Sequence, residues 1–220
     1  MSVGAEPDVA RGLKSGTLTQ VRQAHLILIT GLPGTGKSTL ARTLALHFGV
    51  PLICKDTIKE PLLDVIGAAD RAESRRLSDA SFAVMFALAR DLLHAGVDLI
   101  LEGNFRPGQH EPELLAWIPP VVENVHVTQV LCRASEPVRI ARLTARAADP
   151  SRHAGHRDAD LAVDQSPTPV DFLALPGERM MFDSDAASAQ MNSLLELIEQ
   201  QRRIRSHEPP GATPTSSLPG

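Results

Sequence analysis

Gly31-Leu32-Pro33-Gly34-Thr35-Gly36-Lys37-Ser38 follows the apolar run His25-Leu-Ile-Leu-Ile-Thr30 and opens a helical pattern from Lys37 to Phe48. The octapeptide satisfies G-x-x-x-x-G-K-[ST] at every fixed position. Gly31, Gly34 and Gly36 permit backbone angles that a side chain forbids, so the loop can wrap a phosphate and aim successive N–H groups at it. The helix that begins near Lys37 adds its positive dipole end. Residues 31–39 are therefore the expected ATP-binding segment. Lys37 reaches the β- and γ-phosphates, the Ser38 hydroxyl ligates Mg²⁺, and Thr39 meets the α-phosphate.

Outward from this loop, short apolar runs alternate with helical patterns. Pro51–Cys54, Val97–Glu102, Val125–Cys132 and Arg179–Asp183 read as further strands. Helices are expected over Thr57–Gly67, Ser78–Ala95, Glu136–Ala147 and Ala186–Ile204. On the helix from Ser78 the residues Phe82, Met85, Phe86, Ala89 and Leu93 share one face. Such alternation implies an α/β fold: a parallel five-stranded sheet with helices on both faces and ligands at the carboxyl ends of the strands. Three segments are expected: a loose arm over 1–23, a P-loop domain over 24–206, and a disordered Pro-rich tail over 207–220.

Composition narrows the partners. Among the 220 residues, Lys plus Arg total 22 and Asp plus Glu 26, a formal net charge of −4, and aromatics make up 3% with no Tyr. A mildly acidic chain without stacking platforms argues against nucleic acid and anionic membranes. No apolar run approaches the ~20 residues needed to span a bilayer, and residues 1–23 lack a signal-peptide core, so a cytoplasmic protein is expected. Cys54 and Cys132 lack metal-ligand spacing and read as buried free thiols. The sequence says nothing of oligomeric state.

The P-loop segment GLPGTGKSTLARTLA, the Asp after the second strand and the Arg-rich helix after the fourth resemble the nucleotide-kinase-like P-loop phosphotransferases. That group includes chloramphenicol phosphotransferase, gluconate and shikimate kinases, polynucleotide kinase and the zeta toxins. The resemblance covers roughly residues 24–204. It implies strand order 2-3-1-4-5, a mobile lid carrying arginines over about 139–164, and ATP with Mg²⁺ as cofactors. GTP as donor stays open, although no Asn-Lys-x-Asp guanine-reading motif occurs.

Site residues follow from the same resemblance. Asp56 matches the carboxylate that accepts the proton of the attacking hydroxyl; an N-cap of the following helix is the alternative. Glu102 ends an apolar strand as a Walker B acid does, which suits either Mg²⁺ or the general-base role. Arg139, Arg142 and Arg146 fall on one helical face, and Arg142 and Arg146 are the expected triphosphate contacts. Lys59, Asn104 and Arg106 are candidates for acceptor binding, with Phe82 and Phe86 lining the same pocket; a solvated helix face or loop is the alternative. His153 and His156 have metal-like spacing without an evident third ligand, and a lid loop suits them better. Phe182-Asp183-Ser184 resembles the segment near the adenine.

The expected function is transfer of the γ-phosphate of ATP to a hydroxyl of an antibiotic, sugar or nucleoside. The competing expectation is a regulatory protein that binds and hydrolyses ATP without an acceptor.

Overall fold

The computed structural model describes residues 23–122, 125–151, 153, 155 and 170–207. Residues 1–22 of the expected arm, most of the lid loop and the tail beyond 207 lie outside the described residues.

The strands are β1 (Ala24–Gly31), β2 (Leu52–Cys54), β3 (Leu99–Glu102), β4 (Val125–Arg133) and β5 (Glu178–Asp183). They form one sheet in the order β2-β3-β1-β4-β5, and each neighbouring pair is parallel. The helices are α1 (Lys37–Phe48), α2 (Lys55–Ile66), α3 (Arg71–His94), α4 (Glu111–Val122), α5 (Glu136–Ala147) and α6 (Ala187–His207). A single 3₁₀ turn, Ser184–Ala186, joins β5 to α6.

β1 is buried along its whole length because helices cover both faces of the sheet. Its alternating side chains feed two cores. Leu26 and Leu28 pack with Met85 and Phe86 of α3 and with Phe105. Ile27 and Ile29 pack with Leu40 and Leu44 of α1 and with Leu194 and Ile198 of α6. Truncating a fully buried leucine such as Leu28 to alanine costs about 2–5 kcal/mol in a core of this kind.

Register decides where the chemistry stands. Glu102 lies beside Ile29 on one side and Cys54 on the other, Gly31 lies beside Cys132, and Arg133 beside Asp183. The carboxyl ends of the strands therefore share one rim, with the phosphate loop at its centre.

Two elements differ from the sequence reading. α3 starts at Arg71, well before the expected Ser78, because Asp70 caps it. The Asp70 carboxylate accepts from the N–H groups of Ala72 and Glu73 at 2.8 and 2.9 Å, and Glu73 accepts in return from Ala69 N–H. This is a reciprocal cap, and it needs no apolar periodicity. α4 was not expected at all, because Pro112, Pro119 and Pro120 break the helical pattern. Pro112 sits in the first turn, where its missing N–H costs nothing.

Candidate active site

The phosphate loop is held tight by its neighbours. A Cβ on Gly34 would come within 2.8 Å of both Cγ and the carbonyl oxygen of Arg139. Gly36 adopts φ 82°, a left-handed conformation that suits glycine, and stands at the N-cap of α1. α1 has no side-chain cap and no acid in its first turn. Its leading N–H groups are thus left for an anion. Thr35 turns away from the rim: its hydroxyl donates to the Leu32 carbonyl at 2.8 Å, which braces the loop. Leu32 and Thr35 border a separate depression beside Arg139, behind the loop.

In front of the loop lies a cavity of about 470 Å³. Lys37, Ser38 and Thr39 form one wall, Asp56 and Lys59 of α2 another, and Glu102, Asn104 and Arg106 a third. Residues distant in sequence thus converge on one space. Glu102 is 3% exposed and its carboxylate stands 3.8 Å from Lys37 Nζ. Burial, and then the charge and hydrogen bond of Glu102, push the Cys54 thiol up to about 12, so Cys54 is inert as a nucleophile. Cys132 is free and buried too, and burial raises it to about 12.

Asp56 lies in the first turn of α2, while the N-cap position belongs to Cys54. The simple capping reading of Asp56 therefore does not describe it. Lys55 Nζ pairs with Asp56 at 3.0 Å. Lys59 is 8% exposed, so the solvated-face reading fails for it as well. Its ammonium donates to Ser74 Oγ on α3 at 2.9 Å, and desolvation lowers its pKa to about 8.

The three arginines of α5 separate. Arg139 is buried against Gly34, behind the loop. Arg142 Nη1 donates to the Gly34 carbonyl at 3.2 Å and to Ser184 Oγ at 2.7 Å. Arg146 reaches the main cavity and a second one of about 380 Å³. Arg142 and Ser184 border that second cavity, and Leu40, Phe182 and Met191 give it an apolar side. Arg139 shares their helical face but not their surroundings, because a shared face does not fix what covers each turn.

Phe82 and Phe86 do not line the main cavity. They are 5% and 1% exposed and cluster with Phe105 and His110 behind Gly103. His153 pairs with Asp64 of α2 at 2.9 Å, and His156 lies outside the described residues. No group of three metal-ligating side chains occurs among the described residues. Arg42, Thr57 and Glu60 also line the cavity and were not singled out beforehand. Arg42 follows Ser38, and Glu60 follows Asp56, by four residues, the spacing that keeps side chains on one helical face.

Residues 26–163 match the family described as AAA domain. The chain belongs to that family. Within it, this AAA-domain protein has the nucleotide-kinase-like P-loop fold. A candidate kinase of Chloroflexus aurantiacus superposes with a TM-score of 0.69 at 28% identity, over 84% of this chain and 99% of that one. The APS kinase of Mycobacterium tuberculosis, solved with AMPPNP and APS, shares the fold at TM-score 0.53 and 16% identity, over 80% and 98% of the two chains. An uncharacterized protein of M. tuberculosis is 32% identical over 151 residues, 64% of this chain and 30% of that protein. The cytidylate kinase of Methanococcoides burtonii is 29% identical over 111 residues, 49% of this chain and 62% of that enzyme. The AAA-domain chain thus spans under a third of the mycobacterial relative and less than two thirds of the cytidylate kinase. No helix among the described residues is long and apolar enough to cross a membrane.

Proposed function

We propose that the protein transfers the γ-phosphate of ATP to a hydroxyl of a small molecule. The observation that carries this reading is the common cavity of Lys37, Ser38, Asp56 and Glu102. The carboxylate on α2 lines a different wall of the cavity from the phosphate loop, which favours an acceptor hydroxyl between them over ATP binding alone.

The triphosphate lies along residues 31–39, with Lys37 against its β- and γ-groups. The second cavity, with Arg142 and its apolar side, suits the adenine. Arg146 borders both cavities and suits the phosphates between them. The residues present fit Mg²⁺: Ser38 offers a hydroxyl, Glu102 a buried carboxylate, and the α1 N-terminus has no acid to compete. When bound, the ion neutralises charge that develops on the β- and γ-oxygens. Asp56 takes the proton of the acceptor hydroxyl as its oxygen bonds to the γ-phosphorus. The bond from that phosphorus to the β,γ-bridging oxygen breaks, and ADP leaves with the electron pair. Positioning supplies most of the rate, so one carboxylate is enough.

Lys37→Ala tests the reading. A folded variant should lose tight Mg·ATP binding in calorimetry. Phosphorus NMR on the wild-type protein should show a new phosphate ester with a hydroxyl acceptor. Unchanged ATP affinity in the folded variant overturns the site. Slow ATP hydrolysis with no ester, across a broad acceptor screen, returns the protein to the regulatory class.

A further inference from the structure

Two cationic side chains of the main cavity stand away from the phosphate loop. Six cationic side chains line it against four carboxylates. Lys37, Arg42 and Arg146 stand on or beside the phosphate-loop side. Lys55 is paired with Asp56. Lys59 and Arg106 remain, on walls from α2 and from the loop after β3, and neither forms an ion pair among the described residues.

Both are held at a cost. The Lys59 ammonium has three protons and one hydrogen bond, to Ser74 Oγ. The like charge of Lys55 adds to the effect of burial, whereas Asp56 and Asp79 oppose it less strongly. Removing an ammonium from water without a close counter-charge is unfavourable. Arg106 has a buried Nε with no hydrogen-bond partner. Its own backbone N–H is fixed by His110 Nδ1 at 3.0 Å, so the loop that presents it is braced. Burial, and then the Arg106 charge, lower the His110 pKa to about 4, so the brace is neutral and adds no charge of its own. Two under-satisfied cations in one cavity define a place for an anion. A neutral antibiotic or sugar would leave both charges buried without a counter-ion.

We infer that the phosphoryl acceptor is an anionic alcohol, whose phosphate, sulfate or carboxylate group is held by Lys59 and Arg106 while its hydroxyl faces Asp56. This rests on the kinase reading and narrows its acceptor class. The anion supplies the missing acceptors for Lys59 Nζ and Arg106 Nε, and it anchors the molecule away from the reacting atoms. The same contact excludes uncharged analogues, since they cannot repay the desolvation of two cations. The transfer step is unchanged: the hydroxyl oxygen gains the phosphoryl group, ADP departs, and the proton goes to Asp56.

The test uses the full chain with its nucleotide site filled. Mg·AMPPNP is bound first, and sulfate and acetate are titrated separately by calorimetry as probes of tetrahedral and carboxylate anions. At least one should bind the loaded wild-type protein. Lys59→Gln and Arg106→Gln should each weaken it about tenfold or more, with AMPPNP affinity and melting temperature maintained, and Lys59→Arg should restore part of the loss. In turnover, alcohols bearing an anionic group should be phosphorylated in preference to their matched neutral counterparts. The two substitutions should raise KM for them far more than they lower kcat. AMPPNP that fails to bind the wild-type protein overturns the kinase reading beneath this one. AMPPNP that binds, with neither anion following or with both unaffected by the two substitutions, overturns the anionic acceptor alone. Preference for the neutral member of each pair does the same.

Discussion

Asp56 and Glu102 are carboxylates of one cavity in different surroundings, and each can be asked its role by removing charge alone. Glu102 is buried, beside Lys37 and hydrogen-bonded by the Cys54 thiol. Asp56 is more open and paired with Lys55. If Asp56 is the base, Asp56→Asn keeps ATP affinity nearly unchanged and cuts transfer by about 10²–10⁴-fold. Glu102→Gln should instead weaken the dependence on Mg²⁺. Single-turnover rates across a Mg²⁺ titration separate the two. Full activity in Asp56→Asn overturns the assignment and leaves Glu102 as the base. Lys59 gives a second prediction, about stability. Its folded pKa, about 8, lies below its ordinary 10.5. The unfolded chain therefore binds more protons between those values, and this group makes stability rise with pH through that window. Below about pH 8 the penalty is present in full. Lys59→Met should raise the urea midpoint at pH 7 and lose most of that advantage near pH 10, as acceptor binding disappears. The groups facing Lys59 are Lys55 and Asp56 on its own helix and Ser74 and Asp79 on α3. An equal difference between the proteins at both pH values removes Lys59 as the cause.

α2 lines the proposed acceptor side and α3 supports it through Ser74, and the cap of α3 is where the element can be tested. Asp70 satisfies two N–H groups of the first turn, and Ser74, the partner of Lys59, lies one turn further on. Asp70→Ala should cost about 1 kcal/mol by urea unfolding, the usual worth of an N-cap. It should also weaken binding of the anionic probe, since a frayed first turn releases Ser74. Asp70→Asn, nearly as good a cap, should leave both unchanged. Loss of probe binding in Asp70→Asn as large as in Asp70→Ala would point away from the cap. The same helices mark what could be read beforehand. The phosphate loop and the parallel sheet were legible because the complete motif and the apolar strands each carry a local signal, whereas the strand order came only through the family resemblance. The start of α3 was hidden because Arg71-Ala-Glu-Ser-Arg-Arg76 is polar and only its cap marks it. α4 was hidden by its prolines. Helical spacing grouped Phe82 with Phe86, and Arg139 with Arg142 and Arg146, correctly by face. What covers a face depends on packing from elsewhere in the chain, so the phenylalanines went to the core and Arg139 behind the loop.

At the scale of the whole molecule, two cavities open on one rim and share Thr39 and Arg146. The second is bordered by α1, α5, the Ser184 turn and α6, with nothing from α2 or α3. The main cavity alone reaches α2. The two ligands should therefore stiffen different parts of the fold, because a ligand slows local opening in the elements that it contacts. Mg·AMPPNP alone should slow amide exchange about tenfold or more in the first turns of α1, in α5 and at the β5–α6 junction. The amides of α2 and the first two turns of α3 should change little at that stage. Adding an anion that bridges Lys59 and Arg106 should then slow α2 and the start of α3, with the phosphate loop already at its limit. The core strands β1 and β4 exchange through global opening and should follow only the overall gain in stability. Hydrogen exchange with mass spectrometry on the full chain reads all of these in one experiment. If AMPPNP alone protects α2 as strongly as α1, the nucleotide phosphates already engage Lys55 and Lys59, and the division of the rim into donor and acceptor sides is wrong.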